Sequence, residues 1–174
     1  VSGVWRDHGW ELGEKEHWRK FSLWEEATRS PLIWVVPGVT KAGEICQRPV
    51  DFLSIYPTLC DLIDVPLPNH LEGNSLAALL EKPDCHWDGV ALTTHGHRNH
   101  AIRDGQFRYI RYADLSEELY DHTTDPYEFT NLANDETMIA TKRRLAAFLP
   151  KNETPPKTMS RKKNKRKKPN LLTD

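Results

Sequence analysis

The sequence is poor in cysteine and has no long apolar run. Its 174 residues include three cysteines, Cys46, Cys60 and Cys85, without a C-x-x-C pair or a spacing typical of zinc or redox motifs. At most one disulfide can form, so cysteine usage does not identify the compartment. No segment of about eighteen apolar residues occurs, and we therefore expect no membrane span. The first residues also lack the pattern of a signal peptide.

Acidic residues are scarce at the end of the chain, where basic residues concentrate. Seven of the 24 lysines and arginines lie in 161–168, and 24 of the 25 acidic residues precede that run. Such a run cannot bury enough apolar surface to fold, so we expect a disordered basic tail over 151–174. A tail of this kind can contact polyanions, either nucleic acid or a sulfated glycan, by counterion release. The alternative is a solvated end without a partner.

The first half of the chain mixes apolar strands with loops and helices. Residues 1–5 have the pattern of a strand that runs into a polar Asp-His-Gly triplet, and 10–26 form a charged, tryptophan-rich loop. The apolar run 31–38 ends in Pro-Gly and predicts a buried strand, for which parallel pairing fits best. Apolar spacing and capping residues predict helices over 50–65 and 75–80.

The second half favours a small antiparallel sheet. Strands are predicted over 89–94, 101–103, 107–112 and 118–121, with an Asp104-Gly105 turn between the second and third. A helix over 134–148 should place Met138, Leu145 and Phe148 on its apolar side. The pattern predicts an α/β protein, with an α/β unit over 1–88 and the small sheet with its terminal helix over 89–150.

Two groups of motifs resemble those of the sulfatases in the alkaline phosphatase superfamily. The first comprises Asp7-His8-Gly9, Leu12-Gly13-Glu14, Lys20 thirteen residues after the aspartate, and Pro31-Leu32-Ile33. The second comprises Glu118-Leu119-Tyr120-Asp121, Asp125-Pro126-x-Glu128 and Asn131-Leu132-Ala133. Trp10 and the stretch 99–103 look closest to the iduronate-2-sulfatase branch. The resemblance covers residues 5 to about 149 and implies part of a doubly wound sulfatase sheet, followed by the small carboxy-terminal sheet.

The resemblance implies calcium-dependent hydrolysis of a sulfate ester on a sulfated glycan. The nucleophile of this family is a formylglycine made from Cys or Ser in a C/S-x-P-x-R motif. That motif does not occur in this chain. The early pair of aspartates that supplies further metal ligands is also missing. We therefore expect the carboxy-terminal portion of a sulfatase, inactive alone because covalent catalysis needs the nucleophile. Intact members are expected to be periplasmic, extracellular or lysosome-like.

The same resemblance assigns roles to three residues near the first strand. Asp7 is the expected metal ligand, since a carboxylate at a strand end suits a hard cation such as calcium. His8 matches a position that would complete the metal's contacts and also contributes to the catalytic group. Lys20 is the candidate catalytic cation, because a fixed positive charge stabilises the negative charge that develops on the bridging oxygen.

Substrate binding is assigned to Trp10, His100 and Arg103. Trp10 can stack on a sugar face, although a packing role is equally compatible with the sequence. His100 and Arg103 can recognise a substrate carboxylate or sulfate, or make structural hydrogen bonds instead. The three histidines in 95–100 do not favour zinc, because the loop contains glycine and no cysteine is near.

Two alternatives to a sulfatase remain open. One is a non-catalytic remnant that binds polyanions through its basic tail, and salt-sensitive binding without turnover would favour it. The other is a phosphonate hydrolase or phosphodiesterase of the same superfamily, which shares the metal-ligand arrangement. Whatever its function, half of a doubly wound sheet would expose an apolar edge and face, so we expect poor solubility or aggregation of this chain.

Overall fold

A computed structural model describes residues 1–155, so the basic run 161–168 lies outside the described residues. Its elements are short, and several are single turns or residue pairs. The strands are β1 Ser2–Trp5, β2 Glu11–Leu12, β3 Trp18–Arg19, β4 Leu32–Val35, β5 Ala91–Thr94, β6 His100–Arg103, β7 Phe107–Arg111 and β8 Glu117–Asp121. The helices are α1 Glu25–Thr28, α2 Ile55–Leu62, α3 Ala77–Glu81 and α4 Ile139–Ala146.

The last four strands form one antiparallel sheet in the order β5-β6-β7-β8, as the sequence predicted. The predicted turn between β6 and β7 closes because the Asp104 carboxylate accepts hydrogen bonds from the amides of Gln106 and Phe107, at 2.8 and 2.5 Å. Short connections of this kind fix the register between neighbouring strands. The sheet and the helix that follows it confirm this part of the predicted fold class.

The two faces of this sheet pack against different parts of the chain. Side chains alternate along a strand, so neighbouring residues of β7 point to opposite faces. One face packs against α4 through a cluster formed by Ile102, Phe107, Tyr109, Leu119, Ala133, Leu145 and Leu149. The other face packs against the loop before α1 through Leu23, Ala101, Ile110 and Tyr120. The sheet is therefore buried on both sides, between α4 and residues of the first half.

The strands β1 and β4 pair with each other in antiparallel register, from Ser2 opposite Val35 to Trp5 opposite Leu32. The expectation of a parallel pair for the strand in 31–38 was therefore wrong. A continuous apolar run indicates burial on two faces and carries no information about strand direction. Val4 and Ile33, which are partners in this pair, are each more than half exposed.

The predicted helix over 50–65 forms a single 3₁₀ turn, Phe52–Ser54, followed by α2. Pro57 lies in the first turn of α2, where its missing N–H leaves no backbone hydrogen bond broken. The buried side of α2 consists of Pro57, Thr58 and Cys60. Tyr56 and Ile63 belong to the apolar spacing that predicted this helix, but both are exposed, because nothing in the described part of the chain covers that side.

The carboxy-terminal helix begins later than predicted. Asp135 accepts a hydrogen bond from the Thr137 amide at 2.8 Å and starts a 3₁₀ turn, Glu136–Met138, that leads into α4. Met138 and Leu145 pack on the sheet as expected, but Phe148 is 44% exposed and Leu149 takes the buried position.

The three cysteines are free thiols. No described helix is both long and apolar enough to cross a membrane.

Candidate active site

The triplet after β1 is held against α1 by backbone hydrogen bonds. The Gly9 amide donates to the Ala27 carbonyl at 2.9 Å, and the Trp10 amide donates to the Glu26 carbonyl at 2.7 Å. A Cβ at Gly9 would lie 1.9 Å from the carbonyl oxygen of Glu26, so only glycine fits this approach. Gly9 therefore fixes the positions of Asp7 and His8 relative to α1.

His8 and Lys20 are in direct contact. The Lys20 Nζ atom lies 2.8 Å from Nε2 of His8, and Nδ1 of His8 lies 2.6 Å from the Gly9 carbonyl oxygen. An ammonium group can only donate, so Nε2 accepts from Lys20 and the ring proton sits on Nδ1, where it is donated to Gly9. The structure thus brings together His8 and Lys20, the two residues predicted to be catalytic. The hydrogen bonds at its two ring nitrogens fix the orientation of the His8 imidazole.

Asp7 stands beside this pair, with its carboxylate open to solvent. Its Oδ2 atom lies 3.5 Å from Nε2 of His8, and its side chain is 79% exposed. This hard oxygen donor suits a calcium ion, which takes six to eight oxygen ligands. Within residues 1–155, however, no group of three metal-ligating side chains converges around Asp7. The described residues supply one carboxylate of such a site.

Aromatic rings flank the pair on two sides. The ring of Trp10 is 43% exposed and its centroid lies 6.1 Å from that of His8. Phe21 lies beneath Lys20, whose Nζ is 5.8 Å from the phenyl centroid, and the same ring lies 5.7 Å from the ring of His95. Phe21 therefore connects the Lys20 loop to the histidine-rich loop after β5.

The other two residues predicted to bind substrate lie apart from each other. His100 is 3% exposed, with Nδ1 2.8 Å from the Thr94 hydroxyl. Arg103 donates to the backbone carbonyl of Asp104, and its Nε lies 3.8 Å from a carboxylate oxygen of Glu25. Burial lowers the pKa of Arg103, and the Glu25 carboxylate counteracts that effect. The structure does not join His100 and Arg103 into one anion site.

A buried ionic network joins the first half of the chain to the sheet. Arg108 on β7 reaches three partners in that region: its Nε lies 2.6 Å from Oε1 of Glu128, its Nη2 donates to Glu25, and its Nη1 donates to the Leu23 carbonyl at 3.1 Å. Glu128 also accepts from the Glu25 amide at 2.9 Å and contacts His122 at 2.8 Å. Sequence reasoning missed this network, because Arg108 and Glu25 are 83 residues apart.

The carboxylates and imidazole of this network do not form a metal site. Glu25, His122 and Glu128 converge closely enough to hold an ion. The guanidinium of Arg108 already lies against both carboxylates, so the positive charge is supplied by the protein. A cation added beside a buried arginine would face like-charge repulsion at low dielectric.

Lys15 adds a second cation, half-buried, next to the network. Its Nζ donates to the Tyr120 hydroxyl at 2.8 Å and to the Glu128 carbonyl at 2.5 Å. The same atom lies 4.1 and 4.5 Å from the ring centroids of Tyr120 and Trp24, within cation–π range. Burial lowers the pKa of Lys15, and nearby carboxylates oppose that shift. Lys15 anchors the loop that carries Lys20 onto the sheet.

The fold and the site together define the carboxy-terminal part of a sulfatase-type α/β protein. The features that define it are the Asp-His pair at a strand end, the lysine fixed beside this pair, and the small antiparallel sheet against which the loop packs. Residues 13–154 match the family model of N-sulphoglucosamine sulphohydrolase, C-terminal. The chain therefore belongs to the sulfatase family, which confirms the family resemblance seen in its motifs.

Relatives and solved structures agree with this assignment. The chain is 41% identical to a sulfatase of Formosa agariphila over 148 residues, 85% of this chain and 29% of that protein. It is 32% identical to human arylsulfatase K over 142 residues, 73% of this chain and 26% of that protein. Among solved structures, it resembles BT1596, a 2-O GAG sulfatase, with 28% identity and a TM-score of 0.67, covering 83% of this chain and 35% of that one.

A phosphonate monoester hydrolase from Silicibacter pomeroyi has a similar fold. Its structure matches with 27% identity and a TM-score of 0.69, covering 83% of this chain and 33% of that one. The chain thus spans about a third or less of the length of the proteins it matches. Assignment of the chain to the iduronate-2-sulfatase branch stays a prediction.

Proposed function

We propose that the protein to which this chain belongs hydrolyses sulfate esters of sulfated carbohydrates, and that this chain supplies Lys20, His8 and Asp7 to the reaction. The observation that carries the proposal is the 2.8 Å contact between Lys20 and His8, which lie beside the exposed carboxylate of Asp7. The family match and the likeness to a 2-O GAG sulfatase support it. Specificity of the iduronate-2-sulfatase type is part of the same proposal.

The chemistry follows from the charges that develop during cleavage. As the S–O bond breaks, negative charge accumulates on the bridging oxygen, and a preorganised cation beside it lowers the barrier. Lys20 is held by its hydrogen bond to His8, so its ammonium group needs little reorganisation. Two of its three N–H donors remain for the substrate. Trp10 provides an exposed aromatic wall on which a sugar ring can stack.

A calcium ion, when bound, would neutralise charge on the sulfate group. Asp7 fits such an ion as one carboxylate ligand. Nε2 of His8 accepts from Lys20, so its lone pair is engaged in this arrangement, which favours the catalytic role of His8 over its role as a metal ligand. The chain contains no C/S-x-P-x-R motif, so we expect the 174 residues alone to bind ligands without turnover.

The test compares the 174-residue chain with the product of the complete reading frame that encodes it. Each is assayed for sulfate release from 2-O-sulfated uronic-acid disaccharides with calcium and with a chelator. We expect release only from the complete product, and a loss of about 10²–10³ in kcat for Lys20→Met. Lys41→Met, at an exposed position, is the matched control. Full activity of K20M, or sulfate release by the chain alone, would overturn the proposal.

The likeness to a phosphonate monoester hydrolase favours a second candidate activity. Phosphonate monoesters therefore belong in the same assay, and a higher kcat/KM for them than for sulfate esters would select that activity. The polyanion-binding alternative depends on the basic run 161–168, which the structure does not describe. Salt-dependent binding of heparin without turnover by either product would favour it.

A further inference from the structure

The backbone of Arg19 lies in the left-handed region, with a φ angle of 86°. Residues that carry a Cβ rarely adopt this conformation, because the Cβ crowds the carbonyl oxygen that follows it. Arg19 is the last residue of β3 and directly precedes Lys20 in the chain. The lysine proposed for catalysis therefore follows a strained backbone position.

Strain of this kind is concentrated in the loop between His8 and Lys20. Within residues 1–155, seven non-glycine residues have a positive φ angle, and three of them lie in this loop: Lys15, Glu16 and Arg19. The first two form the tip of the hairpin between β2 and β3, where a turn accounts for their conformation. Arg19 lies on a paired strand, so turn geometry does not account for its φ angle. An outlier outside a turn favours a functional explanation.

Contacts on both sides of Arg19 hold this conformation. On one side, the pairing of β3 with β2 sets Arg19 opposite Glu11, which is 1% exposed. On the other side, the Nζ atom of Lys20 lies 2.8 Å from Nε2 of His8. Rotation about the N–Cα bond of Arg19 to an ordinary negative φ angle would redirect Lys20, while the pairing of β2 with β3 could stay in place. The φ angle of Arg19 thus determines where Lys20 points.

We propose that Arg19 is a positioning residue of the reaction, and that its left-handed backbone aims the ammonium group of Lys20 at His8. The inference rests on the proposed function and adds a residue that acts through Lys20. The side chain of Arg19 is exposed, and the effect belongs to its φ angle rather than to its guanidinium. A fixed φ angle keeps Lys20 oriented before the substrate binds, as preorganised electrostatic stabilisation requires.

The first test replaces Arg19 by Gly, Ala and Val in the full 174-residue chain. Glycine accepts a positive φ angle freely, alanine accepts it about as well as arginine, and β-branched valine accepts it least. The imidazole nitrogen NMR shifts of His8 report whether Nε2 still accepts from Lys20, and Lys20→Met gives the shifts of the lost contact. Arg19→Gly and Arg19→Ala should keep the native shifts. Arg19→Val should move them toward those of K20M.

The second test measures kcat and KM for the same variants in the product of the complete reading frame. Arg19→Val should lower kcat about 10–10²-fold with little change in KM, because Lys20 acts on charge that develops in the transition state. Arg19→Gly should keep kcat within about twofold of the native value, since glycine adopts the same φ angle without strain. Arg19→Thr, which is β-branched but polar, provides a second variant of the same kind as R19V.

Leu115→Val is the matched control, because Leu115 has a φ angle of 71° in the turn between β7 and β8 and is exposed. It should lower Tm through the same backbone strain and leave both the His8 shifts and kcat native. Native His8 shifts in R19V and R19T, or equal changes in R19A and R19V, would overturn the inference. The NMR series needs no turnover, so its failure leaves the proposed activity standing. Full activity of K20M in the complete product would refute the proposed function instead.

Discussion

Nε of Arg108 lies 2.6 Å from Oε1 of Glu128, and the two side chains are 3% and 1% exposed. Arg108 projects from β7, whereas Glu128 projects from the loop after β8, and both face the segment that carries Lys20. Such a buried pair need not exceed a hydrophobic pair in stability, but loss of one partner leaves an uncompensated charge. The pair therefore makes the position of the Lys20 loop dependent on the small sheet.

Arg108→Met should destabilise the chain by about 3–5 kcal/mol, because the buried Glu128 carboxylate would lose the guanidinium that neutralises it. Urea unfolding followed by tryptophan fluorescence measures the change. Arg29→Met provides the control, since Arg29 pairs with Glu25 from a side chain that is 75% exposed. That variant should lose less than about 1 kcal/mol. Equal losses of unfolding free energy in the two variants would show that the buried network stabilises the fold no more than the exposed Arg29–Glu25 pair does.

Gly9→Ala should separate the Asp7–His8 segment from α1. Its Cβ would overlap the Glu26 carbonyl oxygen at 1.9 Å, and the backbone must shift by about a van der Waals radius to relieve the contact. We expect a loss of about 3 kcal/mol in unfolding free energy, with a change in the His8 imidazole shift. Gly105→Ala is the matched control, because nothing lies within 4 Å of its Cβ position. A native-like His8 signal in G9A would contradict the prediction.

Glu11→Gln should stabilise the chain at neutral pH. Glu11 is 1% exposed, and its Oε2 atom, 3.9 Å from His17, has no hydrogen bond. Burial raises the pKa of Glu11 above its ordinary value of 4.5, while a hydrogen bond from Ser22 opposes the shift. A raised pKa in the folded state means that stability falls as pH rises from 4.5 through the folded value.

The E11Q effect should therefore depend on pH. Glutamine keeps the acceptor for Ser22 without the buried charge, so we expect Tm to rise by about 2 °C at pH 7.5 and to change little at pH 4. Glu16→Gln, an exposed neighbour, should show no such difference. A lower Tm of E11Q at pH 7.5 would mean that the ionised carboxylate stabilises the fold through His17.

The exposed faces of β1 and β4 should make the chain self-associate. Val4 and Ile33 pair across these strands and are 62% and 55% exposed. Light scattering after size exclusion should show a mass that grows with concentration, and Ile33→Lys should reduce it. Leu115→Lys, at a turn residue that is 65% exposed, is the control. A native chain that stays monomeric and melts cooperatively would contradict the prediction.

The parts of the fold that depend on short-range pattern were predictable from the sequence. The four strands of the small sheet and the Asp104-Gly105 turn follow from alternation and local turn chemistry. The turn at the end of β8 also depends on local chemistry: Asp121 and Asp125 accept hydrogen bonds from the Thr123 and Thr130 amides, at 2.9 and 2.7 Å.

The contacts that connect distant segments were not predictable from one sequence. Glu128 caps the first amide of α1, 103 residues earlier in the chain, and Lys15 reaches Tyr120 across 105 residues. No local pattern indicates partners at such separations. The one available signal was Arg108 itself, a cation within the apolar run of β7. A charged residue in a buried strand requires a buried counter-ion, and a search for that partner would have pointed to an acidic residue elsewhere in the chain.

The aromatic and carbonyl contacts of Lys15 have a thermodynamic consequence for ligand binding. Lys15 ties the Lys20 loop to Tyr120 on β8. A ligand that binds and orders Lys20 should therefore also stabilise the sheet against unfolding. Occupation of the site should slow amide hydrogen exchange in β7 and β8. Protection in these two strands would thus report on occupancy of the site at Lys20 and His8.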